Sequence, residues 1–485
     1  MGDTNTTNDT SNPIINQGKL SLRDRSAVFA AQAASTLIKK MGLGLGSNLP
    51  GRIARKVSPG VLGALAAQSE KGVLAVTGTN GKSTTSGILS SILRTAGFTF
   101  AHNKQGANLV TGITASLVQT ASIIDGIKAD YCLFEIDEAA LPLVAREAHI
   151  KCVVVTNLFR DQLDRFGELD TTSKLIAKGI MQDKSHAVLN ADDPNVAQMV
   201  PDVERLFYGI EQVESGAASV CQVKGEKADS TELAYCRNCQ TEVVYDRIFY
   251  GQIGHWRCPA CDHHRPTPQV RAFEVAAGPL SSRFKLALGD RVEDCYLPLP
   301  GLFNVYNALA AAACAYSQGV SPEAIRSGIK EYTTLFGRSE KMTVEGKPVV
   351  VQLIKNPAGA TQAVASCVAD SNPGILIAIN DNLADGRDVS WLWDADFEQL
   401  ATKLSLDADA KVTVSGQRAE DMAIRMKYAG LAADRIIVQP RLPQALRSAL
   451  DNLAPGQTLW ILPTYTNLLD LQKIMKTMGA PMSGT

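Results

Sequence analysis

The chain has 485 residues, 45% of them hydrophobic, and a formal net charge of −1. That length is room for roughly three globular domains, and the near-zero balance leaves no basic footprint for a nucleic acid, so small molecules or a protein partner are the expected ligands. Ten cysteines in so long a chain do not make a disulfide scaffold, and no apolar run is long enough to span a bilayer, so a cytoplasmic protein with at most transient membrane contact is expected.

Residues 1–20 are rich in Thr, Asn, Asp and Ser, a composition that cannot bury a core and predicts disorder. In 27–38 an apolar run broken by Gln32, Ser35 and Thr36 predicts a short amphipathic helix, so 1–42 reads as a tail and a helix. A Gly-rich link at 43–50 and a helical stretch at 61–68 follow.

Residues 72–76 form an apolar strand pattern, and Ile88, Leu89, Ile92 and Leu93 mark one face of a helix closing near Gly97. Between them lies Gly78-Thr79-Asn80-Gly81-Lys82-Ser83-Thr84. In such a strand–loop–helix junction, glycines let backbone N–H groups face phosphate oxygens, a lysine reaches the terminal phosphates and a Ser or Thr hydroxyl meets Mg²⁺. Gly78, Gly81, Lys82 and Ser83 fit those roles, which predicts ATP with Mg²⁺. The strict P-loop pattern fails, because Val76 stands where it needs its first glycine.

Further on, Asn103, Lys104, Gly106, Ala107 and Asn108 make a polar loop, and Tyr131 to Glu138 reads as a buried strand running into acids. Glu135 falls at the strand's carboxyl end, where open α/β sheets bind ligands, and it either holds Mg²⁺ or caps the next helix. Apolar strands at 152–156 and 187–189 also end in polar clusters. Strands alternating with helical patterns predict an α/β fold with a mainly parallel sheet.

Cys236-x₂-Cys239 and Cys258-x₂-Cys261 are separated by 18 residues, the spacing of two knuckles that supply four thiolates to a structural Zn²⁺. The surrounding 221–268 reads as a zinc-ribbon insert. Its arginines are offset by Glu232, Glu242, Asp246 and Asp262, so nucleic-acid binding is not expected. From 338 to 485 strand and helix patterns alternate again, without a Gly-rich dinucleotide fingerprint, which predicts a smaller Rossmann-like domain. Its loop at 380–394 gathers Asp381, Asp385, Asp388 and Asp394 with Trp391 and Trp393. Helix caps and core anchors are one account of it.

Taken in order, Gly78 to Ser83, Thr156-Asn157 with Asp161-Gln162-Leu163-Asp164, Asn190-Ala191-Asp192-Asp193-Pro194, Leu299 to Ala308 and Gly337-Arg338-Ser339-Glu340 resemble the Mur ligase family. The resemblance implies a P-loop ATPase middle domain at 43–337, carrying the insert, and a C-terminal domain at 338–485. It implies ATP-dependent ligation through an acyl phosphate. Lys82 would then stabilise the migrating phosphoryl, Ser83 and Glu135 would bind Mg²⁺, Asn304 would touch adenine and Arg338 would face the phosphates. Gln162 and Phe303 depart from the family's usual histidines, and a carbamylated lysine, common in the family, would be Lys174 or Lys178.

The insert, the missing N-terminal uridine-nucleotide domain and Asp385-Gly386-Arg387-Asp388-Val389-Ser390-Trp391 resemble one branch of the family, the synthetase subunits of lipid II isoglutaminyl synthases. That branch amidates the α-carboxylate of D-glutamate in lipid II with ammonia from a GatD-like glutaminase subunit. The resemblance implies that Asp388 or Asp385 completes the partner's Cys–His pair. No remaining cysteine lies in a Gly-x-Cys-x-Gly elbow, in keeping with a separate glutaminase. Competing readings are an amino-acid ligase resembling folylpolyglutamate synthase and a non-enzymatic, ATP-binding zinc-ribbon regulator.

Overall fold

The computed structural model describes residues 19–40, 48–103, 107–159, 168–214, 234–333, 338–407 and 409–479. Six strands come first: β1 (Gly72–Thr77), β2 (Phe100–His102), β3 (Tyr131–Glu135), β4 (Ile150–Val155), β5 (His186–Asn190) and β6 (Arg205–Ile210). A hairpin of β7 (Val244–Tyr250) and β8 (Ile253–Arg257) follows, then β9 (Val270–Ala277), β10 (Ser282–Leu288) and β11 (Arg291–Leu297). Nine of these strands join in one sheet of order β11-β10-β9-β6-β5-β4-β1-β3-β2. The pairings from β2 to β9 are parallel, and β10 and β11 extend the sheet antiparallel.

Alternation along the strands makes two cores. Val73, Ala75, Val153 and Val155 face one layer with Ile113, Leu117, Val144 and Ile176. Leu74, Val76, Cys152 and Val154 face the other, against Ile88, Leu89 and Ile92. Because successive side chains point to opposite faces, near-continuous apolar strands are what a sheet covered on both sides requires. The helix Leu302–Ser317 lies in the second layer, and its Ala-rich sequence lets it sit almost wholly buried.

The helix expected at 27–38 runs over Leu22–Lys40 and buries Ala27, Val28 and Ala31 in the first layer. The N-terminal helix thus shares the core of the nine-stranded sheet.

Strands β12 (Arg338–Val344), β13 (Lys347–Gln352), β14 (Pro373–Ala378), β15 (Val412–Ser415), β16 (Ile436–Val438) and β17 (Thr458–Pro463) form a second sheet of order β12-β13-β17-β14-β15-β16. It is parallel except for β12 at the edge. Separate cores on its two faces make it a small doubly wound unit. Asn356 Nδ2 donates to Asn80 Oδ1 at 3.1 Å, so the second unit touches the loop after β1.

A candidate nucleotide site and a four-cysteine cluster

Between β1 and the helix Lys82–Thr95 the chain turns through Gly78 (φ +118°) and Gly81 (φ +84°). Both glycines are needed for space as well as conformation. A Cβ on Gly78 would fall 2.3 Å from Thr156 Oγ1, and one on Gly81 would fall 2.1 Å from Asn307 Oδ1. The loop is tied to the segment after β4: Thr79 N donates to Asn157 O at 3.0 Å, and Asn80 N to Asn157 Oδ1 at 3.0 Å. Thr156 Oγ1 donates to Asn80 O at 2.7 Å, and Phe159 N to Thr79 Oγ1 at 3.1 Å.

Asp193 holds that second segment in turn, accepting from Leu158 N at 2.9 Å. The polar cluster after β5 is therefore a brace for the loop.

Lys82 Nζ folds back on the loop, donating to Gly78 O at 2.5 Å and pairing with Glu138 Oε1 at 2.7 Å. Glu138 is a site residue that the sequence reading passed over. Its signal was present, since it lies three residues beyond Glu135 in the same acidic run. Glu135 ends β3 in register with Val76, which sets it beside the loop after β1, and it is buried. Asn103 fixes its backbone, accepting from Glu135 N at 2.9 Å and donating to Glu135 O at 2.8 Å. Ser83 is buried in the first turn of the helix. A basic side chain, a hydroxyl and two carboxylates thus meet at the sheet's carboxyl edge, a donor set that suits a phosphate chain with a hard cation.

A cleft opens beside the loop, lined at one end by Asn80, Gly81 and Thr84. Phe159, Tyr250 and Phe303 line it with Asn304, Asn307 and Gln362, the last from the second unit. Asn304 is held by its Nδ2 bond to Pro300 O at 2.8 Å, and its Oδ1 accepts from Asn307 Nδ2 at 3.1 Å. Arg338 begins β12 opposite Gln352, another cleft residue, but its side chain lies outside the described residues. Gln162 lies outside them too, as do Lys104 and Gly106. Lys174 and Lys178 are exposed on the helix Glu168–Asp183, and neither lines the cleft.

The four knuckle cysteines converge. Sγ–Sγ distances are 3.4 Å for Cys239–Cys258, 3.6 Å for Cys236–Cys261 and 3.7 Å for Cys239–Cys261. A tetrahedral ion with bonds of about 2.3 Å holds its thiolates about 3.8 Å apart, so the cluster fits a metal with little adjustment. Burial pushes the Cys236 thiol up to about 11, while hydrogen bonding to Thr241 brings Cys239 down to about 6. His263 Nδ1 lies 3.6 Å from Cys236 Sγ, beside the four sulfurs. Cys221 lies outside the described residues.

A profile of the Mur ligase middle domain matches residues 76–241, and one of the MurT ligase C-terminal region matches 353–468. The lipid II isoglutaminyl synthase (glutamine-hydrolyzing) subunit MurT of Staphylococcus aureus strain N315 is 34% identical over 92% of this chain and 96% of its own length. The chain belongs to the MurT family. The MurT subunit of Streptococcus pneumoniae is 31% identical over 94% of this chain and 98% of its own. In fold, a pseudomurein peptide ligase type C from Methanothermus fervidus matches with a TM-score of 0.64 at 22% identity, over 84% of this chain and 79% of that one.

A MurT-family chain is an ATP-dependent ligase of the Mur type, and the two units described above are the Mur ligase α/β fold with its C-terminal α/β domain. The MurT relatives are named as subunits, which implies a partner chain. No described helix is long and apolar enough to cross a membrane.

In the stretch matched by the MurT C-terminal profile, the two candidate aspartates have different surroundings. Asp385 Oδ1 accepts from Thr466 N at 2.7 Å and Oδ2 from Thr466 Oγ1 at 2.6 Å, which clasps the loop to the helix Tyr465–Thr477. Asp388 Oδ1 accepts from Ser390 N at 2.7 Å at the start of the short 3₁₀ turn Ser390–Trp393. Trp391 is buried in the core, whereas Trp393 is half exposed against Tyr428, ring centroids 5.6 Å apart.

Proposed function

We propose that this chain is the synthetase subunit of a two-chain amidotransferase that converts the D-glutamate α-carboxylate of lipid II to the amide of D-isoglutamine. The observation that carries the reading is the end-to-end match to MurT, 96% of the S. aureus relative's length, including the C-terminal stretch with its aspartate loop. A carboxylate oxygen attacks the γ-phosphorus of ATP and ADP leaves. Ammonia then adds to the acyl carbon, the C–O bond to phosphate breaks, and inorganic phosphate leaves as the nitrogen loses a proton.

In this reading Lys82 turns from Glu138 to the migrating phosphoryl, where its charge counts most in a site closed to water. Ser83 and Glu135 would hold Mg²⁺, which supplies positive charge to the phosphates when bound. Asn304 meets the adenine and Arg338 the phosphates. Cys236, Cys239, Cys258 and Cys261 would hold a structural Zn²⁺, supported by the tetrahedral spacing of their sulfurs. The functional division is 1–42 as tail and helix, 43–337 as the ATP-binding domain with its insert at 221–268, and 338–485 as the closing domain.

Ammonia comes from a GatD-like glutaminase. Asp388 or Asp385 would complete that partner's Cys–His pair. The chain is cytoplasmic and meets lipid II by transient membrane contact.

Mass spectrometry of lipid II tests this, after incubation with the chain, ATP, Mg²⁺ and either ammonium or glutamine, with and without the glutaminase. Amide from ammonium alone, and from glutamine only with the partner, is expected. Incorporation of glutamate instead would establish an amino-acid ligase, and no product under any condition would overturn the substrate assignment.

A further inference from the structure

The four-cysteine insert reaches the cleft. Its knuckles lie at the open end of the β7–β8 hairpin, and its closed end is Tyr250-Gly251-Gln252. Gln252 Nε2 donates to Leu158 O at 2.8 Å, and Tyr245 OH donates to Gln252 O at 3.0 Å. Gly251 (φ +52°) leaves room for Phe159, whose Cε1 lies 2.9 Å from where a Cβ would stand. Tyr250 stacks on Phe159, centroids 6.0 Å apart and planes 17° apart, and meets Tyr306 edge-on at 5.8 Å.

The hairpin is also anchored along its length. Trp256 Nε1 donates to Ala191 O at 3.0 Å, and Gly254 N to Asp192 O at 2.8 Å. Asp192, fully buried, receives Arg265, the Tyr306 hydroxyl at 2.6 Å and Ile210 N at 2.8 Å. Tyr306 lies on the same helix as Asn304 and Asn307, both cleft residues.

Beyond the phosphate loop, the cleft carries flat apolar side chains, Phe159, Tyr250 and Phe303, with carboxamides beside them. Flat faces with amide edges are what a purine ring binds to, by stacking and by edge hydrogen bonds. We infer that Tyr250 is a base-binding residue, one wall of the nucleotide site delivered by the metal-knuckle hairpin, so that loading of the four cysteines sets the affinity for ATP. The inference rests on the reading that the cleft takes ATP.

The test is calorimetric titration of the intact chain with ATP and, separately, with inorganic tripolyphosphate, which has no base. Tyr250→Ala is expected to weaken ATP roughly ten- to a hundredfold and leave tripolyphosphate within about twofold, while Tyr250→Phe binds ATP like the parent. Lys82→Ala is expected to lose both ligands. Removing metal with a chelator, or by Cys239→Ser, should weaken ATP about as far as Tyr250→Ala, with little added effect in the combined variant. Thermal melting of each variant checks that the sheet is intact.

If Tyr250→Ala binds ATP normally while Lys82→Ala does not, the base-wall role is overturned and the ATP reading stands. Equal loss of ATP and tripolyphosphate in Tyr250→Ala also overturns it. If the parent binds neither ligand, the nucleotide reading falls and takes this inference with it.

Discussion

Lys82 Nζ and Glu138 Oε1 are 2.7 Å apart, a partly buried ion pair that occupies the lysine expected to meet phosphate. If Lys82 serves the phosphates as proposed, Glu138 competes with them for its ammonium. Glu138→Gln is expected to tighten ATP binding in the absence of Mg²⁺ by roughly three- to tenfold, the worth of a partly screened ion pair. Titration calorimetry checks this. Weaker binding would assign Glu138 to holding the nucleotide instead.

The aspartate loop offers a second separation. Asp385→Asn keeps a carbonyl for Thr466 N but removes the charge and the acceptor for the Thr466 hydroxyl, which must turn to accept, so a stability loss of about 1 kcal/mol is expected. If Asp388 completes the partner's pair, Asp388→Asn is expected to lower glutamine-driven amidation about a hundredfold when the glutaminase is present, with a much smaller effect on ammonium-driven amidation. Denaturant melts and paired nitrogen-donor assays measure the two. Reversal of the two phenotypes would exchange the roles.

Arg265 ties the insert to the sheet through Asp192 and Glu211, with side-chain exposures of 13% for the arginine and 0% for Asp192. Burial opposes the guanidinium charge, but the two carboxylates outweigh it, and Arg265 titrates above its ordinary range. Arg265→Met leaves Asp192 buried without its counter-ion, for which about 3–5 kcal/mol of lost stability is expected. Adding Asp192→Asn should recover part of that loss in a thermal melt, and its failure to do so would show that packing of the arginine carries the effect.

His186, at the start of β5, has its pKa lowered by burial, with Glu204 opposing. The unfolded chain therefore takes up a proton that the folded chain resists. Stability is at its full value above the unfolded value of about 6.5 and declines as pH falls below it, by less than about 1.4 kcal/mol per pH unit. His186→Gln is expected to flatten that part of the stability profile in urea melts at pH 5 to 7.5. An unchanged slope would move its origin to another group.

Local order was legible wherever it is written in period and spacing. The apolar run into Gly78-Thr79-Asn80-Gly81-Lys82-Ser83 specified a strand, a loop with two left-handed glycines and a helix, because only glycine accepts those angles and that crowding. The strand at 131–135 and the four cysteines were equally readable, since alternation and x₂ spacing act over a few residues. The same logic exposed the second α/β unit.

What no local pattern carried was which distant segments meet. Glu138 reaches Lys82 because β3 lies beside β1, an order of strands that depends on crossovers. Asp192 and Asp193 read as a polar strand end, yet they brace the insert and the Asn157–Phe159 segment only once β5 lies between β4 and β6. Tyr250, unremarkable in sequence, enters the cleft because a hairpin folds back some 90 residues along the chain to stack on Phe159. By itself the sequence determined the elements, the glycine-rich loop and the four-cysteine set, whose information is local. Only the tertiary structure decided the partners of each charge and the walls of the site, because burial and strand order are properties of the whole chain.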